Sequence, residues 1–185
     1  MTDVNFKSAL SPLTRDEGTT GAGRSVTDLE HLLPYDLIEL LFFAYRDFTG
    51  DPDDVLAEYE FGRAHHRVLH FVERNPGIMV TDLLGILRIT KQSLGRVLKQ
   101  LVDAGIIEQR EGHHDRRQRL LYTTERGHAL AEDLAKLQQK RLERALIGLP
   151  DGSDEIIRKF LLQMIDPEMR PEILQLVRSS FDLKD

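Results

Sequence analysis

Eight basic side chains fall between residues 88 and 119: Arg88, Lys91, Arg96, Lys99, Arg110, Arg116, Arg117 and Arg119. Four acids share the segment, Asp103, Glu108, Glu111 and Asp115, so it carries a net +4. The whole 185-residue chain carries −6, which leaves −10 for the remainder. One basic strip on an acidic protein is suited to a polyanion, and nucleic acid is the first candidate. The residue types fit that chemistry. In a major groove Arg and Lys pair with guanine acceptors and Gln with adenine, which makes Gln92, Ser93 and Arg96 the candidate base readers. Thr90, Lys91 and Lys99 are placed to hold phosphates, fixing register without reading sequence. His113, His114, Arg116 and Arg117 have the charge and reach for a narrow minor groove. Asp115 among them would brace an arginine, Arg117 being the natural partner.

A second constellation is His66, His70 and Glu73. His66 and His70 are four residues apart and Glu73 lies one turn further, a helical metal-ligand spacing. It is not the zinc-protease pattern, because Arg67 stands where that pattern needs Glu. No other enzyme hallmark accompanies it. There is no phosphate-binding glycine loop and no nucleophile elbow, so no catalytic residue and no cofactor is expected.

Composition removes further classes. With no cysteine, disulfides, thiolate metal sites and thiol redox sensing are excluded. With no tryptophan, one common stacking platform for single strands is missing. No apolar run approaches the ~20 residues of a membrane span, and no secretory signal is visible, so no membrane partner and a cytoplasmic location are expected. Length and a 41% hydrophobic content suit one globular domain, with room for an added oligomerisation layer.

The elements that must position these residues can be read along the chain. Residues 1–30 lack periodicity, and Thr19-Thr20-Gly21-Ala22-Gly23 resembles a linker, which predicts a flexible N-terminal arm. A helix starts near Leu33-Pro34 with an apolar stripe Leu37, Leu40, Leu41, Ala44, Phe48, and Gly50-Asp51-Pro52-Asp53 is expected to break it. A second helical region runs from about Val55 to Arg74, burying Phe61, Val68, Leu69 and Val72, and Asn75-Pro76-Gly77 stops it. Thr81 is placed to cap a short helix, Asp82 to Leu87, and Arg88-Ile89 makes a turn. Thr90 caps a helix from Lys91 to Ala104, with Leu94, Val97, Leu98 and Leu101 inward and Gly105 as its left-handed terminator. Gly95, on the outer side, would let backbone lie close to a ligand. A strand over 106–110, a hairpin tip over 111–116 and a return strand over 117–123 follow. Thr124 caps a long helix to about Ile147, carrying Leu130, Leu134, Leu137 and Leu142. Ser153 or Asp151 caps a further helix, and a last one carries Ile173, Leu176, Val177 and Phe181. The order helix, turn, helix, strand, basic tip, strand is a helix-turn-helix with a wing. The fold class is mainly α with a small β wing. The domain plan is an arm over 1–30, an N-terminal helix region over 31–60, a winged helix-turn-helix over 61–127 and C-terminal helices over 128–185.

Asp115-Arg116-Arg117-Gln118-Arg119-Leu120-Leu121-Tyr122-Thr123-Thr124 resembles the wing signature of the MarR (multiple antibiotic resistance regulator) family, Asp-x-Arg followed after five residues by Leu-Thr. Thr123 departs from the usual Leu. Leu101 to Ile107 resembles the end of that family's recognition helix, and Glu125-Arg126-Gly127 the start of its long helix. The resemblance covers roughly residues 35 to 147 well and the final helices loosely. It implies a homodimer with interlocking N- and C-terminal helices, reading a pseudo-palindromic double-stranded DNA operator, most often to repress. It also implies a small aromatic or phenolic effector in a crevice that Phe42, Tyr45, Arg46, His65, His66, Leu69 and His70 could line; core or dimer packing is the competing role for those residues. The alternatives are a metal-responsive regulator or helical metalloenzyme built on His66, His70 and Glu73, and a winged helix used for protein contacts.

Overall fold

The computed structural model describes residues 35–112 and 118–179. The expected arm, the hairpin-tip residues His113, His114, Asp115, Arg116 and Arg117, and Phe181 lie outside the described residues. The chain divides into two compact units, Met1–Glu39 and Leu40–Asp185. Of the first, only the opening of one helix is described.

In chain order the elements are α1 (Tyr35–Ala57), α2 (Arg63–Arg74), β1 (Ile78–Met79), α3 (Val80–Leu87), α4 (Lys91–Asp103), β2 (Ile107–Glu111), β3 (Arg119–Thr123), α5 (Glu125–Leu146), α6 (Ser153–Gln163), a 3-10 turn at Pro167–Met169 and α7 (Arg170–Ser179). This is a mainly helical chain with a small antiparallel sheet, the winged helix-turn-helix expected from the sequence. No described helix is long and apolar enough to cross a membrane.

The local stop and start signals act where their chemistry predicts. Thr90 Oγ1 accepts from the Ser93 N–H at 3.1 Å and opens α4. Gly105, at φ 67°, closes it: the Ile106 N–H reaches the Leu101 carbonyl and the Gly105 N–H the Val102 carbonyl, both at 2.9 Å. Arg88 takes the left-handed conformation at the turn between α3 and α4.

Four expectations are corrected. α1 does not break at Gly50 to Asp53 but continues through Pro52 to Ala57. Proline inside a helix normally costs about 3 kcal/mol. Here the Pro52 ring is buried beside Leu56, and Arg141 of α5 holds Asp51 bidentately at 2.8–3.1 Å. The break falls later, where Glu60 turns left-handed and the Phe61 N–H returns to the Leu56 carbonyl. α3 begins at Val80, with Met79 rather than Thr81 at its N-cap. Gly152 stands at the N-cap of α6 instead of Ser153 or Asp151, its φ of 80° being open to glycine at no steric cost. The sheet has three strands in the order β1-β3-β2, not two: Ile78 and Met79 pair with Leu121 and Leu120. The wing hairpin itself runs in the register Ile107 with Thr123 to Glu111 with Arg119.

The core lies between α2, α3, α4, the sheet and the start of α5. Val68, Leu69 and Val72 from α2 meet Leu83 and Leu87, then Leu94, Val97, Leu98 and Leu101, with Ile106, Ile107 and Leu121 behind and Leu130 and Leu134 below. Phe61 is only partly buried, and Leu142 is exposed.

One contact leaves no room for a side chain. A Cβ on Gly127 would stand 2.0 Å from the Ile106 carbonyl oxygen. Gly127→Ala is therefore expected to force the α5 start away from α4, lowering stability by about 3 kcal/mol, roughly 6–12 °C in Tm. Thermal melting by circular dichroism reads this directly; an unchanged Tm would contradict the close approach.

Candidate nucleic-acid interface

Helix α4 is amphipathic by construction. Its Leu94, Val97, Leu98 and Leu101 are buried, which turns Lys91, Gln92, Ser93, Gly95, Arg96 and Lys99 outward. Thr90, also exposed, donates its hydroxyl to Ser93 Oγ at 2.8 Å while capping the helix, so these two hydroxyls first serve each other. Lys99 pairs with Asp103 one turn on. Lys91 and Arg96 have no hydrogen-bond or ion-pair partner among the described residues. Gly95 faces open space; a Cβ there would meet nothing within 4 Å.

The base of the wing shows what residue counting missed. Arg110 is bonded to Glu108 and lies over the Tyr122 ring at 4.3 Å. Arg119 pairs with Glu111 across the hairpin. Two of the eight basic residues thus brace the strands. Of those eight, the described ones without an ion-pair partner are Arg88, Lys91 and Arg96, on α4 and its preceding turn.

The other predicted residues divide. Leu69 is a core residue. His65, 9% exposed, accepts the Gly62 N–H at Nδ1 (3.1 Å), so its proton sits on Nε2, which donates to Gln100 Oε1 at 2.9 Å. Its ring also stacks on Phe61. Phe42, Tyr45 and Arg46 are exposed on α1, Arg46 paired with Asp47 and lying over Phe43. Tyr45 sits 6.0 Å from the Arg63 guanidinium, which is bonded to Asp53 at 2.7 Å. The second Asp53 oxygen is buried without a hydrogen-bond partner among the described residues. Burial pushes the His66 imidazole below the ordinary histidine range, and nearby His70 adds to this. His70 is likewise lowered, by burial and then by Arg74, although its outer edge is open to solvent. Asp53, Arg63, Gln100 and His128 had no motif to announce them.

Glu73 does not join His66 and His70. Its carboxylate accepts from Thr123 Oγ1 of β3 at 2.8 Å and meets His128 Nδ1 of α5 at 2.7 Å. Among the described residues no group of three or more His, Cys, Asp or Glu could hold a metal ion. A separate groove of about 1160 Å³ runs between the α3 side and the C-terminal helix, lined by Phe71, Ile86, Met169, Ile173 and Leu176. Its lining includes none of Tyr45, Asp53, Arg63 and His66.

Comparison with known proteins places the chain. The MarR family model matches residues 59–118. The HTH-type transcriptional regulator PetP of Rhodobacter capsulatus is 46% identical over 133 residues, spanning 72% of this chain and 80% of PetP. Three solved structures share the fold. SlyA matches with a TM-score of 0.60 at 20% identity, over 79% of this chain and 98% of its own. Streptococcus pneumoniae FabT, solved in complex with DNA, matches with 0.63 at 16%, over 70% and 93%. A MarR family regulator from Listeria monocytogenes, complexed with 26mer DNA, matches with 0.61 at 18%, over 76% and 93%. The chain belongs to the MarR family of transcriptional regulators, a family of regulators and not of enzymes.

The Glu73–His128 pair carries a pH signature. The hydrogen bond and charge of Glu73 raise the His128 pKa above its ordinary 6.5, Glu132 adding and Lys136 opposing. A raised histidine contributes stability that is complete below the unfolded value and is lost as pH rises through the folded one. The Tm gap between the natural protein and His128→Gln should therefore be present near about pH 6 and shrink by about pH 9. A gap constant across that range would refute the pairing.

Proposed function

We propose that this protein is a homodimeric, sequence-specific regulator that binds double-stranded DNA in the cytoplasm. Helix α4 enters the major groove, with Gln92, Ser93 and Arg96 reading bases and Thr90, Lys91 and Lys99 on phosphates. His113, His114, Arg116 and Arg117 follow the minor groove, with Asp115 bracing Arg117. The observation that carries this reading is the outward face of α4. Its two unpaired cations, Lys91 and Arg96, flank a polar reading surface on an otherwise acidic chain. That FabT and the Listeria regulator share the fold and were solved with DNA supports it.

The dimer reading rests on apolar surface. Leu40, Leu41, Phe42 and Phe43 of α1 and Ile156, Phe160 and Leu161 of α6 are exposed. A monomer rarely leaves so many large apolar side chains of neighbouring turns in water, and a two-fold pairing of such helices is the usual solution. Two copies of α4 would then read half-sites about one helical turn apart, and occupancy of a promoter would repress it. Release by a small molecule would act at the α1 and α2 residues Tyr45, Arg63, His66 and Asp53, where one Asp53 oxygen is buried with no hydrogen-bond partner among the described residues. A metal-responsive version is disfavoured because Glu73 is committed to Thr123 and His128.

Affinity selection from genomic DNA tests the reading. The natural protein should enrich a pseudo-palindrome. Arg96→Ala should cost roughly 1–3 kcal/mol and relax one base position per half-site, whereas Arg117→Ala should weaken all sites and lower the salt slope by about one per wing. Variants that return the natural consensus at full affinity would reject these roles. Gly95→Ala should stabilise the fold by roughly 0.5–1 kcal/mol while lowering DNA affinity, because the added methyl meets only solvent until the helix docks. Equal DNA affinity would show that the backbone keeps its distance.

A further inference from the structure

Helix α2 contacts no DNA in the reading above, yet it packs against α3, α4, β3 and α5. Its two ends carry polar side chains that reach the two DNA-reading parts separately. At the N-terminal end His65 donates to Gln100 of α4 (2.9 Å) while its other nitrogen caps α2 at Gly62. Eight residues later, about 12 Å along the axis, Glu73 accepts from Thr123, the last residue of the wing strand, and from His128 of α5. Between them Val68, Leu69 and Val72 are fully packed, so α2 is a rigid spacer. Resting on the DNA-binding reading, we infer that His65 and Glu73 are positioning residues for operator specificity. His65 sets the rotation of α4 in the major groove through Gln100, and Glu73 sets the wing in the minor groove through Thr123.

The geometry gives the reason. Apolar packing of Leu94, Val97, Leu98 and Leu101 fixes how deeply α4 seats but is tolerant of small rotations about its axis. A directional bond to a buried, doubly engaged imidazole is not. Gln100 is a surface residue that the DNA contacts do not use, and its acceptor is the partner that satisfies His65 Nε2. The wing has the same logic. Its strand pairing fixes register, but the pose of the hairpin relative to α2 is held at its base by the Thr123 hydroxyl on a half-buried carboxylate. The residue at 123 is where this chain departs from the Leu of the family signature. A leucine could not make that bond.

The test compares operator selection and binding for the full chain carrying Gln100→Ala, Thr123→Val or Thr123→Ser, with thermal melting beside it. Gln100→Ala leaves a good helix former on an exposed turn, and Thr123→Val keeps the strand shape without the hydroxyl. Gln100→Ala should reduce base preference by about fivefold or more at the positions α4 reads, leaving the flanking wing positions unchanged. Thr123→Val should do the reverse, and Thr123→Ser should restore the natural pattern. Non-specific DNA affinity should stay within about twofold throughout, since phosphate contacts dominate it. An unchanged consensus in both variants would overturn the inference. So would a uniform loss of affinity with the consensus intact, because that is what lost stability alone produces. A natural protein that enriches no sequence would instead remove the DNA-binding reading on which the inference rests.

Discussion

The close approach of Gly127 to the Ile106 carbonyl governs the arrangement of the winged helix-turn-helix. At that point the end of α4, the start of the wing and the start of α5 meet within one turn of chain. Thr124 fastens them: its N–H donates to the Ile106 carbonyl, its hydroxyl donates to the Gly105 carbonyl, and the same oxygen caps α5 through the Gly127 N–H. Arg126 adds a bond to the Ala104 carbonyl. The free carbonyls at the end of the recognition helix are thus satisfied by the beginning of the long helix. Any side chain at 127 would push these elements apart and move the recognition helix relative to whatever α5 is anchored to.

That anchorage matters because α5 starts at the winged helix-turn-helix and reaches α1 near its far end. Arg141 near its far end is bound bidentately to Asp51 in the later part of α1, which ties the two segments together at that point. The surface charge follows the same division of labour. Arg110 and Arg119 stiffen the hairpin through Glu108 and Glu111, while Lys91 and Arg96 on α4 have no partner among the described residues.

Much of this was legible in the sequence because it is local. Thr90, Gly105 and Thr124 act on groups three to five residues away, and a capping side chain or left-handed glycine declares itself without any fold. The period of Leu94, Val97, Leu98 and Leu101 likewise fixed which face of α4 points outward. What escaped was decided at a distance. Pro52 reads as a breaker until Arg141, ninety residues on, is seen to hold Asp51. Two residues of β1 carry no period and exist only because β3 offers an edge. Glu73 completed a plausible metal trio by spacing, yet its partners are fifty and fifty-five residues away. Counting arginines does not tell which of them are held at the base of the wing: Arg119 meets Glu111 across the hairpin only once the register is known, while Arg110 and Glu108 pair along one strand.

The central claim is that two copies of α4 read one duplex from one face. Hydroxyl-radical footprinting of the natural protein on its selected site, at stoichiometric ratio, tests this most directly. Two protected patches about one helical turn apart on the same face, with two chains bound per site, are what the proposed reading predicts. A single patch, or one chain per site at saturation, would contradict it.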